Sequence, residues 1–248
     1  MEPVFRTLEL AAALAIRATG TRLTFHGLDN IPTTGGAVMA VNHTGYVDFL
    51  PAALAATARG RRMRFMIKAE MNDVRVVRFL IKHTGTIPVD RSAGGDAYAV
   101  AVQRLRDGEL VGVYPEATIS RSFELKEFKS GAARMALDAQ VPVIPLVVWG
   151  AHRIWTKDHP KALGRNKFPV TVAVGAPLAP VGTADRLEAE LRTTMTALLH
   201  DAQQAYDHPP GAYWVPRRLG GSAPTVAEAR QLEEAELAER QRRRAGRQ

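Results

Sequence analysis

Residues 35–48 read Gly-Gly-Ala-Val-Met-Ala-Val-Asn-His-Thr-Gly-Tyr-Val-Asp, and Phe-Leu-Pro-Ala-Ala-Leu follows at 49–54. The apolar run ahead of Asn42 predicts a buried strand. Asn-His-Thr-Gly predicts a turn, and the Ala-rich run after Asp48 predicts a helix to about residue 58. His43 falls on the turn near the helix N-terminus, and Asp48 follows about one turn further in, within reach of the imidazole. A histidine held by a carboxylate keeps one tautomer and is stabilised when charged, which suits a general base. No Ser or Cys lies in this stretch, so the hydroxyl to be activated would belong to a substrate. The same spacing also fits a bland arrangement, a strand-end histidine bonded to a helix-cap carboxylate.

The chain has 248 residues, 46% of them hydrophobic, which fits one large domain with room for a terminal appendage. There is no cysteine, which removes disulfides, Cys-ligated zinc and thiol nucleophiles. The net charge of +8 suits nucleic acid, anionic lipid or phosphorylated substrates. No apolar run is long enough for a spanning helix, and the first residues lack the pattern of a cleavable signal. His, Asp and Glu show no metal-ligand spacing, so no metal is expected.

Upstream, residues 4–18 carry Val4, Phe5, Leu8, Ala12 and Ile16 on one helical stripe, which either packs on the core or lies in a membrane interface. Residues 21–26 alternate as a strand. Downstream, Arg59–Lys68 holds five basic residues and no acid. It reads either as a solvated strand edge or as a cationic wall beside phosphate or membrane. A helix capped by Asp73 is expected over 73–82, a short strand ending at Asp90-Arg91, and a helix over 95–107 stopped by Gly108. Leu110–Tyr114 reads as a buried strand that delivers Pro-Glu-Ala-Thr-Ile-Ser-Arg at 115–121. Another helix starts at Phe128–Gly131. Lys129 opposes the dipole there, which an anion bound at the helix start would rationalise. Residues 141–150 form the most apolar strand, placed at an edge or an irregular position because of Pro142 and Pro145. A last strand (167–178) and an amphipathic helix (184–206) follow, and His208–Gly211 ends the compact part. Residues 222–248 read as a solvated helix or disordered tail.

Four strand-end clusters thus stand in order: Asn42-His43…Asp48, Gly85–Arg91, Tyr114–Arg121 and Val141–Pro145. Together they resemble the four blocks of the glycerolipid acyltransferases, specifically the 1-acylglycerol-3-phosphate acyltransferase family, over about residues 36–150. Two departures stand out: Ala117 replaces the usual Gly, and Ile119 stands where the family has Arg, with Arg121 or Lys129 as substitutes for the lost charge. The resemblance implies an α/β fold, a mixed, mostly parallel sheet flanked by helices with an N-terminal amphipathic helix. The expected divisions are residues 1–20, 21–215 and 222–248.

By the same resemblance, the implied reaction is acyl transfer from acyl-CoA or acyl-carrier protein, as co-substrate rather than cofactor, to 1-acylglycerol 3-phosphate. His43 would be the base and Asp48 its orienting group. Arg91 would hold the acceptor phosphate, with Glu116, Thr118, Arg121 and Lys129 on the acceptor side and Val143, Ile144 and Pro145 on the acyl side. The expected place is cytoplasmic and peripheral, on an anionic membrane surface at the inner face of the cell membrane, with no nucleic-acid partner. Other acceptors, glycerol 3-phosphate or another lysophospholipid, stay open. So do a His/Asp lipid hydrolase and a non-catalytic membrane-binding protein, although no Gly-x-Ser-x-Gly elbow appears.

Overall fold

The structure is a computed structural model, and it describes residues 3–69, 75–89 and 95–245. The chain runs α1 (Pro3–Thr19), β1 (Arg22–His26), β2 (Ala37–Val41), α2 (Phe49–Ala58), β3 (Met63–Lys68), α3 (Arg75–Thr84) and β4 (Ile87–Val89). It continues with α4 (Gly95–Arg106), β5 (Leu110–Val113), α5 (Gly131–Ala139), β6 (Val143–Trp149), β7 (Pro169–Val174), α6 (Ala184–Gln204) and α7 (Val226–Ala245).

The seven strands form one sheet in the order β1-β7-β6-β2-β5-β3-β4. Every neighbouring pair is parallel except β6 with β7. This is the mixed, mostly parallel sheet that the sequence predicts. From β2 the chain moves outward to β3 and β4, returns to β5 beside β2, and then crosses to β6 on the other side of β2. Such a reversal opens a crevice beyond the carboxyl ends of the strands, where open α/β sheets bind ligands. His43 leaves β2 at that end.

Both faces of β2 are buried, and its side chains alternate between two cores. Val38 and Ala40 pack with Val111, Val147, Leu187, Leu191 and Met195 under α4, α5 and α6. Ala37, Met39 and Val41 pack with Ala52, Ala55, Ile144, Leu146 and Val172 under α2. The uninterrupted apolar run is the mark of a strand covered on both sides.

One open reading is resolved and two expectations are corrected. First, of the edge and the irregular position expected for residues 141–150, β6 takes the irregular one, inside the sheet. The Val143 N–H donates toward β7, to the Leu178 carbonyl at 3.0 Å, so Pro145, two residues on, faces the same way. Its missing N–H falls between the isolated Val143–Leu178 bridge and the regular ladder, which begins at Leu146 opposite Val174. The irregularity is thus on the β7 side, where a proline is tolerated.

Second, the arginines of 59–64 face internal partners. Arg61 donates to the carbonyls of Pro32, Gly35 and Gly108, and Arg64 to that of Thr84. Arg59 pairs with Asp29 and Arg62 with Glu9, while Arg62 and Arg64 each sit 5.0 Å from the Phe5 ring. They fasten α1 and the loops at the amino ends of the strands, away from His43. Third, the chain beyond His208–Gly211 returns to the core, where Trp214, Val215 and Ala223 are buried with Trp149 and Tyr206. The Gly211 N–H to Gly220 carbonyl bond (2.8 Å) closes that excursion. The expected cap Asp73 and the Asp90-Arg91 pair lie outside the described residues.

Candidate active site

The turn after β2 is fixed from both sides. The Asn42 side chain accepts from the Val148 N–H at 2.6 Å and donates to the Val148 carbonyl at 3.1 Å. A side-chain amide thereby replaces one rung of the ladder just where β2 ends, and it sets the direction in which His43 leaves the sheet. The loop after β6 covers the turn. The Tyr46 N–H donates to the Trp155 carbonyl (2.9 Å) and the Thr156 hydroxyl to the Thr44 carbonyl (2.6 Å). A Cβ on Gly45 would stand 2.8 Å from the His152 Cα and 2.9 Å from the Trp155 carbonyl oxygen. Only glycine allows that approach.

Within this cradle the turn wraps around one carboxylate oxygen. Asp48 Oδ2 accepts from the N–H groups of Thr44 and Gly45, each at 2.7 Å, and lies 3.4 Å from His43 Nδ1. Asp48 is wholly buried and makes no side-chain cap to α2. Asp48 thus holds the N-cap position of α2 while its side chain bonds the turn instead of the helix's first N–H groups. Burial raises the Asp48 pKa, while His43 and the two N–H groups pull the other way. Asp48 Oδ1 is buried without a partner. The His43 ring stacks on Tyr114, with centroids 4.0 Å apart and planes 19° apart. With Nδ1 turned to Asp48 and one face on Tyr114, the ring keeps its Nε2 edge for another group. The separation of 3.4 Å is long for a hydrogen bond, and catalytic bonds of this kind tighten when substrate is bound.

The segment after β5 arrives at the same turn. The Ser120 N–H donates to the His43 carbonyl at 2.7 Å. Glu116, expected on the acceptor side, braces the backbone. Its two oxygens accept from the His43 N–H (2.8 Å) and the Lys126 N–H (3.1 Å). Burial pushes its pKa up to about 8 against those bonds and the Lys126 charge.

Thr118 meets the Lys126 ammonium through its hydroxyl. Ile119 is buried, so the position where the family carries Arg is part of the core here. Arg121 is held by Asp158 at 2.5 Å and by Glu236 of α7 at 2.8 Å. Lys129 is exposed ahead of α5, its N–H bonded to the Pro115 carbonyl at 2.9 Å. Arg91 lies outside the described residues, although β4 points its end toward this side through its pairing of Val89 with Lys68.

The fourth cluster is not brought to His43. Val143 and Ile144 are fully buried in the two cores, and Val143 is level with Val38 and Pro145 with Ala40. In that register Asn42 falls level with Val147, so Val143 sits about four residues, roughly 13 Å, below the turn. The apolar surface beside His43 comes from elsewhere. Tyr114 stacks toward Phe65 at 6.1 Å, and Phe65 meets the half-exposed Phe49 edge-on at 6.2 Å.

Asn42, Lys126, the 150–157 loop and the stacking face of Tyr114 join the site beyond the residues that the sequence assigns to it, and the Trp-Thr-Lys triplet at 155–157 is the one local signal for that loop. Among the described residues, no group of three or more His, Asp or Glu is placed to hold a metal ion.

An acyltransferase family profile matches residues 22–149. The chain belongs to the acyltransferase family. The match starts with β1 and stops at the end of β6, so this acyltransferase domain contains all four strand-end clusters. Over 123 residues the chain is 28% identical to the 1-acyl-sn-glycerol-3-phosphate acyltransferase of Bacillus subtilis, covering 49% of this chain and 60% of that protein. It is 24% identical over 159 residues to the enzyme of the same name from Borreliella burgdorferi, covering 62% of each. The chain thus spans about 60% of the length of these relatives. The crystal structure of the 1-acyl-sn-glycerophosphate acyltransferase of Thermotoga maritima shares the fold, with a TM-score of 0.68 over 81% of each chain at 20% identity.

Proposed function

We propose that this acyltransferase moves a fatty acyl group from acyl-CoA to the free hydroxyl of 1-acylglycerol 3-phosphate, giving phosphatidic acid. The observation that carries the reading is the His43–Asp48 pair at the carboxyl ends of the central strands. Its Nδ1 faces a buried carboxylate and its opposite edge is turned away from the turn. The relatives named above support the choice of acceptor.

In this mechanism Nδ1 keeps its proton against Asp48 and Nε2 accepts the proton of the acceptor hydroxyl. The hydroxyl oxygen attacks the thioester carbonyl carbon. The tetrahedral intermediate then expels the thiolate, which takes the proton back from His43. Asp48 stabilises the imidazolium between the two steps. The chemistry uses no acyl-enzyme. Arg91 and the cations near Thr118 would hold the acceptor phosphate so that the hydroxyl meets His43, which is catalysis by positioning. The row Phe49–Phe65–Tyr114 supplies an apolar surface beside His43, and the acyl chain is assigned to it.

No helix among the described residues is long and apolar enough to cross a membrane. Leu10 and Leu14 on α1 are exposed, and docking to the lipid surface is assigned to that face. The deciding assay is thiol release from palmitoyl-CoA with 1-acylglycerol 3-phosphate, with glycerol 3-phosphate and without acceptor, for the wild type and His43→Ala. Release should need the first acceptor and fall by about 10²–10⁴-fold in the variant. Equal release without acceptor would refute transfer in favour of hydrolysis.

A further inference from the structure

Helix α7 lies across the cations that follow β5. Glu233 grips the Lys126 ammonium with both oxygens at 2.7 Å. Glu236 reaches Arg121 at 2.8 Å and Lys157 at 3.1 Å. The three cations come from the two loops that build the His43 turn, and the Lys126 N–H shares the Glu116 carboxylate with the His43 N–H. The cluster is therefore within one carboxylate of the candidate base. It is also neutral as it stands: three cations face Asp158, Glu233 and Glu236. Taking away the two carboxylates of α7 leaves a charge of +2 around the Thr118 hydroxyl, with Arg121 Nη1 buried and lacking a partner. A phosphate monoester carries about −2 near neutral pH and brings acceptor oxygens for such donors.

The attachment of α7 is of a kind that can be exchanged. Ala229 is its one buried apolar side chain among the described residues, while Val226, Leu232 and Leu237 are exposed. Its polar contacts include the ion pairs of Arg217 with Glu228 at 2.9 Å and Arg230 with Glu127 at 2.8 Å beside the pairs above. A helix held by ion pairs rather than apolar burial is weakly held and sensitive to competing anions.

We infer that Arg121, Lys126 and Lys157 form a phosphate-binding site in which Glu233 and Glu236 are internal occupants, and that a phosphate-bearing ligand displaces α7 from it. The helix is then an acidic strap over the acceptor side, opened by the ligand the site is built for. This rests on the proposed function for the identity of the ligand but not for the site itself.

The test uses the full chain and hydrogen exchange of residues 226–245. Glycerol 3-phosphate should lower their protection by about tenfold relative to glycerol. In a second arm, vesicles of phosphatidic acid are compared with vesicles of phosphatidylcholine. Release by the soluble ester assigns the site to free phosphate esters, and release by phosphatidic acid vesicles alone assigns it to a lipid headgroup. Release by neither overturns the inference. Calorimetry adds an independent readout, in which E233Q/E236Q should bind glycerol 3-phosphate about tenfold more tightly than the wild type. Unchanged affinity in the folded double variant would also overturn it. Helix release without thiol release would sink only the proposed reaction, and turnover with α7 still protected would sink only the strap.

Discussion

Replacing Asp48 with Asn isolates the charge of that residue from its role in the turn. All three of its contacts meet Oδ2, and Oδ1 has none. An asparagine with its carbonyl oxygen in the Oδ2 position keeps both acceptor bonds from Thr44 and Gly45 and places its NH₂ where Oδ1 lay. What disappears is the negative charge 3.4 Å from Nδ1. At that range an imidazolium–carboxylate attraction is worth about 5 kcal/mol at an effective dielectric near 20. Each factor of ten in rate corresponds to about 1.4 kcal/mol, so kcat should fall about 10³–10⁴-fold. Stability should respond differently. Burial already raises the Asp48 pKa, so losing the charge relieves desolvation, while an unpaired buried NH₂ costs about 1–3 kcal/mol. The unfolding free energy should therefore move by no more than about 2 kcal/mol. Asp48→Ala, by contrast, strips the acceptor from two buried N–H groups and should cost about 2–5 kcal/mol. Single-turnover thiol release and urea unfolding on the three proteins give both numbers. A folded Asp48→Asn enzyme with a rate within tenfold of the wild type would refute the charge argument. An Asp48→Asn chain that loses activity only because it unfolds would make Asp48 a structural residue.

Ala117 sits at φ +60°, a left-handed conformation that costs a non-glycine residue about 1–2 kcal/mol. Ala117→Gly should raise stability by about 0.5–1 kcal/mol after the added unfolded-state entropy, read as the denaturant midpoint, and a lower midpoint would contradict it. Gly45→Ala pushes a methyl into the 150–157 loop and should destabilise by about 1–3 kcal/mol while lowering kcat more than it changes KM. A full-rate variant would show that the close approach is immaterial to the turn. Glu116 titrates near pH 8 in the folded state, against an ordinary value of 4.5. The folded protein thus holds a proton that the unfolded chain has released. Its contribution is complete below about pH 4.5 and is lost as pH rises through 8, with a slope approaching 1.4 kcal/mol per unit. Glu116→Gln should flatten that slope in urea unfolding between pH 5 and 8, and an unchanged slope would assign it to another group.

The sequence by itself determined whatever depends on neighbours along the chain. The apolar run before Asn42, the Gly-containing turn and the Ala-rich run after Asp48 specify strand, turn and helix, and they bring His43 and Asp48 together because only four residues separate them. Periodicity likewise places most other long elements to within a few residues, but it leaves α7 open between a solvated helix and a disordered tail. Tertiary structure decided the partners. Glu116 braces the His43 backbone across 73 positions, and Lys126 and Arg121 meet carboxylates 107 and 115 positions away. Those contacts exist only because the strand order sets the β2, β5 and β6 loops side by side, and hydrophobic period does not encode strand order. For the same reason Pro145 could be read as a ladder breaker but not placed in an interior strand, and the arginines at 59–64 could be read as charged but not as internal fasteners. A charged side chain is solvated or paired according to what the fold brings within about 4 Å of it, and that distance is a property of the assembled sheet.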